Sequence, residues 1–283
     1  VVKSLINRVD EKQYVIPLSR RQPFYYCEYS SIIKHNDSVR ILKKDGDVKI
    51  EYDIPIANIG CLIIGPGTSI TTESIRIISA RGCHCVFTGE GGVPIYSKTI
   101  FHRNSTNKYK QFKLISDKEL RFKAANILLS ERQSIINKFK PDLPALSLNS
   151  INNQNYMAIE AVWAKSAYRY VCSKNNYTWV GKSSLHREHP LNLMNHLLYS
   201  ITDVVISYCG FEPDMGVIHG RVNGGGLCYD IADIYKPILT LEQAILHDIN
   251  KSASKQIKES LLSDILKFDI IDSQIKILTE IFK

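Results

Sequence analysis

The chain changes character at Ser97, and no other feature limits its architecture so much. Before that point short β-type segments alternate with turn signals; after it long helical patterns take over. Phe24 to Tyr29, Ser38 to Leu42, Val48 to Tyr52, Cys61 to Ile64, His84 to Phe87 and Val93 to Tyr96 cluster β-branched and aromatic residues as short strands do. Lys44-Asp45-Gly46-Asp47 reads as a hairpin turn, and Gly65-Pro66-Gly67 closes the strand before it. A short helix follows, capped by Thr71, with Glu73 in its first turn, apolar Ile75, Ile77 and Ile78, and Gly82 at its end.

Beyond Ser97 the hydrophobic period predicts helices over 116–138, 153–173, 189–208, 231–247, 255–267 and 271–281. Pro141 and Pro144 separate the first two. Pro190 suits the first turn of the third, whose apolar stripe runs Met194, Leu197, Leu198, Ile201, Val204, Val205 and Tyr208. The fold class is therefore α+β: a small β-sheet domain with one short helix over residues 1–97, then an all-helical domain over 98–283 that opens with a basic linker at 98–115.

With 283 residues, 44% of them hydrophobic and 23% charged, the chain has the mass for two modest domains. Disorder, collagen and small disulfide scaffolds are excluded. No apolar run approaches the roughly 18 to 20 residues of a membrane span, and the opening Val-Val-Lys-Ser-Leu-Ile-Asn-Arg is too polar for a signal peptide. The expected location is the cytoplasm, with no membrane partner. Seven cysteines, odd in number and scattered through apolar stretches, fit reduced thiols.

The net charge of +8 is local. Lys98 to Lys140 holds eleven Lys and Arg (98, 103, 108, 110, 113, 118, 121, 123, 132, 138, 140) against three acidic residues, and the rest of the chain is neutral. Phe101, Tyr109, Phe112, Phe122 and Phe139 are interleaved with them. Such a patch can neutralise phosphates; it can also be a solvated linker and helix face.

Two places could carry chemistry. Glu160 shares a helical stripe with Tyr156, Met157, Trp163, Ala164, Ala167 and Val171, while Lys165 and Arg169 lie opposite. A carboxylate in an apolar stripe is costly unless it pairs across helices, takes up a proton or binds a cation. The second place runs from Val217 to Pro237, where two short strands are expected to flank a glycine-rich turn. His219 lies on the first of them and Asp230 where the second becomes helix. Asp230 could simply cap that helix, whereas Asp233, one turn further in, is not explained by capping. One imidazole with two or three carboxylates suits Mg²⁺ or Mn²⁺ better than Zn²⁺ and would serve phosphoryl transfer. Other signals fail. There is no dinucleotide loop, P-loop or nucleophile elbow, Cys83-His84-Cys85 lacks a second zinc pair, and His186 and His189 read as surface residues.

From His219-Gly220 through Asp230-Ile-Ala-Asp233-Ile-Tyr-Lys236-Pro237 the sequence resembles CRISPR-associated endonuclease 1, the integrase that inserts spacers into CRISPR arrays. Ile54 to Thr71, Cys85 to Tyr96, Ile159-Glu160-Ala161 and Asn195-His-Leu-Leu-Tyr199 match further family segments in order, so the likeness covers roughly residues 20 to 245. It is most like the shorter forms of subtypes I-E and I-F, although Met157-Ala158 stands where Arg-Gly often precedes the motif glutamate.

The resemblance implies a metal-dependent DNA endonuclease and integrase. In the implied reaction a prespacer 3′-hydroxyl attacks a phosphodiester at the repeat boundary, with Mg²⁺ or Mn²⁺ on Glu160, His219 and Asp233, and Asp230 as a fourth catalytic residue. Arg103, Lys108, Lys110, Lys113, Lys165, Arg169 and Arg221 would bind DNA, and Asn195, Tyr199 and Lys236 would support the site. The implied partners are double-stranded and partly single-stranded DNA, a second copy paired through the N-terminal domain, a pair of such dimers, and CRISPR-associated protein 2. Two other readings keep the fold: a non-catalytic DNA-binding assembly subunit, and a stand-alone nuclease acting on branched DNA in repair. Without metal, Glu160, Asp230 and Asp233 are expected to crowd negative charge around one pocket.

Overall fold

A computed structural model of the chain describes residues 16–45, 48–89, 94–96, 105–152, 155–178, 189–219 and 226–283. The N-terminal part runs β1 (Gln22–Cys27), β2 (Ser30–His35), β3 (Ser38–Asp45), β4 (Val48–Ile54), β5 (Ile59–Ile64), β6 (Ser69–Ile70), helix α1 (Thr72–Ala80), β7 (His84–Thr88) and β8 (Pro94–Tyr96). One sheet has the order β1-β5-β7-β8, its first three strands parallel and β8 antiparallel. The other is β4-β3-β2-β6, antiparallel apart from the parallel pair of β2 with β6.

Strand β5 shows why its sequence reads as an unbroken apolar run. Leu62 and Ile64 point into a small core shared with Ile32, Val39, Ile41, Ile77, Ile78, Cys83 and Cys85, between the two sheets and α1. Cys61 and Ile63 point the other way and join Phe24, Val86 and the helices. Both faces are covered, so no polar alternation survives. Helix α1 is capped as expected: Thr71 Oγ1 accepts from Ser74 N at 3.3 Å, and Gly82 takes a positive φ of 66° just beyond the helix. Phe24 to Tyr29 is not one strand, however. The chain turns at Tyr29, whose φ is 49° and whose N–H reaches Pro66 O at 2.9 Å, and β2 starts at Ser30. A tyrosine in that conformation is uncommon, and no glycine or proline at Glu28-Tyr29 signals the turn.

The remainder is α2 (Ser105–Ser116), α3 (Lys118–Phe139), α4 (Tyr156–Lys174), α5 (Pro190–Tyr208), α6 (Gly226–Leu239), α7 (Leu241–Ile249), α8 (Ser254–Lys267) and α9 (Ile270–Ile281). The expected basic linker at 98–115 is thus helix from Ser105 onward. Its inward positions are Gln111 and Leu114, too few apolar residues to give a helical period. The expected helix over 231–247 is two helices that meet at Thr240. Residues 217–219 form no strand, and α6 is already helical at Gly226; residues 220–225 of the glycine-rich turn lie outside the described residues.

Helices α5 and α6 are buried along nearly their whole length and form the middle of the helical part. β1 meets α8, where Lys258 Nζ lies 3.4 Å above the Tyr26 ring and 3.8 Å from Glu28. A groove of about 600 Å³ opens between them, and no residue of α6 lines it. None of the seven cysteines forms a disulfide. Among the described residues no helix is long and apolar enough to cross a membrane.

Candidate active site

Helix α6, packed on α3 and α5, places Asp230, Asp233 and Lys236 at successive three-residue steps, hence on one face, and all three are largely buried. Pro237 inside this helix has no N–H, so the Asp233 carbonyl loses its usual helical donor. Ahead of α6 the chain crosses in an irregular strap, residues 211–219, that ends at His219. Gly216 and Gly226 let the crossing happen. A Cβ on Gly216 would overlap the His219 carbonyl and the Gly226 backbone, and one on Gly226 would overlap Asp214 and Gly216.

Asp230 fastens the strap. Its Oδ2 accepts from Val217 N at 2.5 Å and Ile218 N at 3.1 Å, and its Oδ1 from His219 N and His219 Nδ1, both at 2.8 Å. Four donors fill the acceptor sites of one carboxylate. Asp230 therefore sits in the second turn of α6 capturing a neighbouring segment; it does not cap its own helix. Because that carboxylate only accepts, the imidazole donates from Nδ1 and turns Nε2 toward Asp233 Oδ2, 3.8 Å away. Burial works against protonation of His219, but the hydrogen bond and charge of Asp230, then the charges of Asp233 and Glu160, prevail and raise its pKa above the ordinary histidine value.

The other two acids already have cations. Arg132, a buried residue of α3, donates to Glu160 Oε1 at 2.8 Å and stacks 4.2 Å over the Trp163 ring. Lys236 Nζ bridges Asp233 Oδ1 and the Tyr199 hydroxyl. Burial alone would raise the Asp233 pKa, yet Lys236, Arg132 and His219 hold it below the usual carboxylate range. Burial likewise opposes the charge on Lys236, and Asp233 and Tyr199 reverse that effect and raise its pKa. The expected crowding of uncompensated negative charge is thus absent, since each carboxylate is matched by donors or cations of this chain.

The structure places the remaining sequence candidates as follows. Tyr199 rests 4.6 Å from the Tyr229 ring, and Tyr229 presents its edge to His219 at 5.9 Å. Asn195 lies one layer behind, accepting from Thr240 Oγ1 at 2.9 Å. Met157 stands 50% exposed, off the buried stripe it was expected to share with Glu160. Lys110, Lys113, Lys165 and Arg169 are exposed, whereas Arg103 and Arg221 lie outside the described residues. Lys108 pairs with Glu212 at 2.8 Å. The basic segment is therefore not one uniform stripe: Arg121 donates to Val217 O at 2.6 Å, Lys140 pairs with Glu242 at 2.5 Å, and Arg132 faces inward.

Sequence reasoning counted Arg132 only as one charge of that patch, and it missed Tyr168, buried beside Asp233 and Lys236 with its pKa pushed up by burial to about 12. His189, expected at the surface, is 2% exposed. Its Nδ1 caps α5 by accepting from Leu191 N at 3.1 Å, and its Nε2 meets Tyr177 Oη at 3.0 Å.

Among the described residues no three His, Cys, Asp or Glu side chains converge as a metal site. His219 Nε2 and Asp233 do face one another, and Glu160 acts on the imidazole electrostatically while its carboxylate is turned to Arg132. The fit to a hard divalent ion rests on donor chemistry: one imidazole whose Nδ1–H is fixed by a second carboxylate, beside carboxylate oxygens.

No family model matches the chain. CRISPR-associated endonuclease Cas1 of Pseudomonas aeruginosa is 23% identical over 302 residues, 93% of each chain, and Cas1 2 of Chlorobaculum tepidum is 26% identical over 268 residues, 88% of this chain and 85% of its own. The same fold occurs in a CAS1 protein from Thermotoga maritima (TM-score 0.75, 13% identity, 92% of this chain and 96% of that one). It also occurs in a TtCas1–DNA complex (0.60, 21%, 92% and 96%) and in a casposase bound to integration product (0.69, 12%, 92% and 90%). The chain is thus similar, over most of its own length and theirs, to proteins named CRISPR-associated endonuclease Cas1, and it shares with a CAS1 structure the fold of a β-sheet region followed by helices.

Proposed function

We propose that the chain is a metal-dependent DNA endonuclease and integrase that inserts prespacer DNA into a CRISPR array by attack of a 3′-hydroxyl on a phosphodiester. The observation that carries this reading is His219, held through Nδ1 by Asp230 and presenting Nε2 to Asp233 inside the family's motif. His219, Asp233 and Glu160 would hold Mg²⁺ or Mn²⁺, Glu160 on leaving Arg132. Bound there, the ion would supply positive charge to the reacting phosphate oxygens.

The chain's own groups do the rest. Asp230 fixes the imidazole tautomer, and Lys236 keeps Asp233 ionised in a buried place. Arg132, once Glu160 moves, is a second cation at the pocket wall. Exposed Lys110 and Lys113 on α2, with Lys165 and Arg169 on α4, would contact DNA phosphates without reading sequence. Dimerisation through the N-terminal part is supported by exposed Val48 and Ile50 on the outer sheet, at 63% and 39% exposure, and Cas2 by the family itself. This reading places the protein in the cytoplasm, with DNA.

Incubating the protein with short duplex DNA, a plasmid carrying the repeat, and Mn²⁺ or Mg²⁺ should yield plasmid joined to the duplex 3′ end, and none after chelation. A second reading draws on the Arg132–Glu160 pair: if that pair never opens, the chain is a non-catalytic DNA-binding subunit. DNA binding without any joined or cut product under both ions would favour it.

A further inference from the structure

We propose that Gln111 is a positioning residue for His219, gripping the strap that delivers the imidazole to the pocket. This deepens the function proposed above and rests on His219 serving the reaction. Gln111 lies on the inner side of α2 with no exposed surface. Its Nε2 donates to Glu212 O at 2.8 Å and to Met215 O at 2.7 Å, and its Oε1 accepts from Glu212 N at 2.7 Å. A primary amide offers two donors and one acceptor oxygen, and here every one of those groups is spent on a single stretch of backbone.

That stretch needs such help. Residues 211–219 belong to no helix or strand, so their N–H and C=O groups must find partners elsewhere. Partners come from both sides. From α2 and α3, Gln111 binds Glu212 and Met215 and Arg121 Nε donates to Val217 O at 2.6 Å, and from α6 the backbone of Cys228 donates to Pro213 O at 3.1 Å. Amides next to His219 are taken from the α6 side, by Asp230. Lys108 adds a salt bridge to Glu212 on the same face of α2 as Gln111. The strap is therefore held between two helices by polar groups, with the imidazole at its end only four residues beyond Met215. A buried apolar side chain at 111 would fill the space equally well. What it would lack is the ability to fix where Glu212 and Met215 sit along the strap, and from them the reach of His219.

Gln111→Met keeps side-chain length and removes all three bonds. Gln274→Met serves as the matched control, because Gln274 is equally buried and donates to Thr202 Oγ1 at 2.9 Å in the α5–α9 contact. Three quantities are measured: strand-transfer rate at saturating DNA with Mn²⁺, DNA affinity by fluorescence anisotropy, and the ¹⁵N spectrum of the His219 imidazole in metal-free protein, assigned by its loss in His219→Gln. Gln111→Met should slow transfer at saturating DNA by about tenfold or more, since small misplacements of a reacting group are costly. DNA affinity should stay within about twofold, because the binding surface is untouched. The His219 resonances should shift or broaden, whereas Gln274→Met should leave rate and resonances unmoved.

Unchanged His219 resonances in Gln111→Met, or equal losses in Gln274→Met, overturn the proposal. If Gln111→Met does not fold, Gln111→Glu, which retains the acceptor for Glu212 N, is judged by the same three readouts. Wild-type protein that transfers no strand under either ion would defeat the functional reading alone, because the metal-free imidazole spectrum still tests Gln111.

Discussion

Charge is used in opposite ways around α6 and on the outer faces of α2 and α4. Around α6, Arg132, Glu160, Asp230, Asp233 and Lys236 are buried or nearly so, and each is committed to another group of the same chain. Lys110, Lys113, Lys165 and Arg169 stand in solvent on their helices. Burying a charge is costly unless it is paired, so the inner set is fixed by the fold, whereas among the described residues no ion pair holds the outer set. A net charge of +8 concentrated in one segment therefore mixes two populations. Only burial separates those that hold the molecule together from those available to a phosphate.

The sharpest way to break this contrast is Asp230→Ala. The change leaves three backbone N–H groups and one imidazole nitrogen without their acceptor, those of Val217 and Ile218 buried and those of His219 half-buried. Unsatisfied buried donors cost about 1–3 kcal/mol each, so even with relaxation the loss should be about 3 kcal/mol or more. Urea denaturation of the metal-free protein measures it, and strand transfer should vanish at the same time. A midpoint equal to that of the wild type would mean that the strap does not depend on Asp230.

Asp233→Asn comes next, and here geometry reverses what the sequence suggests. Crowded carboxylates would make the neutral variant more stable without metal. In the structure Asp233 is instead the counter-ion of buried Lys236, so the variant leaves a lysine charge supported mainly by Tyr199. Removing one partner of a buried pair is destabilising, by about 2–3 kcal/mol when the replacement can still hydrogen-bond. The melting temperature in EDTA should fall. Added Mn²⁺ should then raise the wild type more than the variant, since the variant has lost an anionic ligand. A variant that melts higher in EDTA would restore the crowding picture and remove Lys236 from it.

How much of this the sequence shows depends on which force shapes each element. The cap at Thr71, the stop at Gly82, the proline opening α5 and the apolar run of β5 are legible because each obeys a local rule. Helix α2 is not, because its inner face meets the protein through amides instead of a hydrophobic stripe. Nor is the break at Thr240 between α6 and α7, which carries no glycine or proline at the junction. Glu160, His219 and Asp233 could be named from motif and chemistry. Tyr199 and Lys236 were legible in the same way, as supporting residues, but Arg132 was not: only packing decides that it turns inward while Lys138, from the same helix, does not.

The smallest effect on the fold belongs to the outer lysines, and it is the most informative about DNA. Lys110→Ala with Lys113→Ala should change unfolding free energy by less than about 0.5 kcal/mol, as exposed substitutions away from special features do. If both side chains neutralise phosphates, the slope of log affinity against log salt should fall by roughly 1.8, because each phosphate contact on duplex DNA contributes about 0.9. Lys108→Ala is the internal comparison. Its partner is Glu212 on the His219 strap, so it should leave the salt slope nearly unchanged while lowering stability slightly, with about 0.2–1 kcal/mol lost for a half-exposed pair. Anisotropy titrations from 50 to 200 mM salt and urea melts of both variants would settle the assignment. Equal slopes for the double variant and the wild type would make the outer face of α2 merely solvated and would move the DNA path elsewhere. A reduced slope for Lys108→Ala would show that the Glu212 pair opens to DNA, in which case the division between inner and outer charge breaks down at α2.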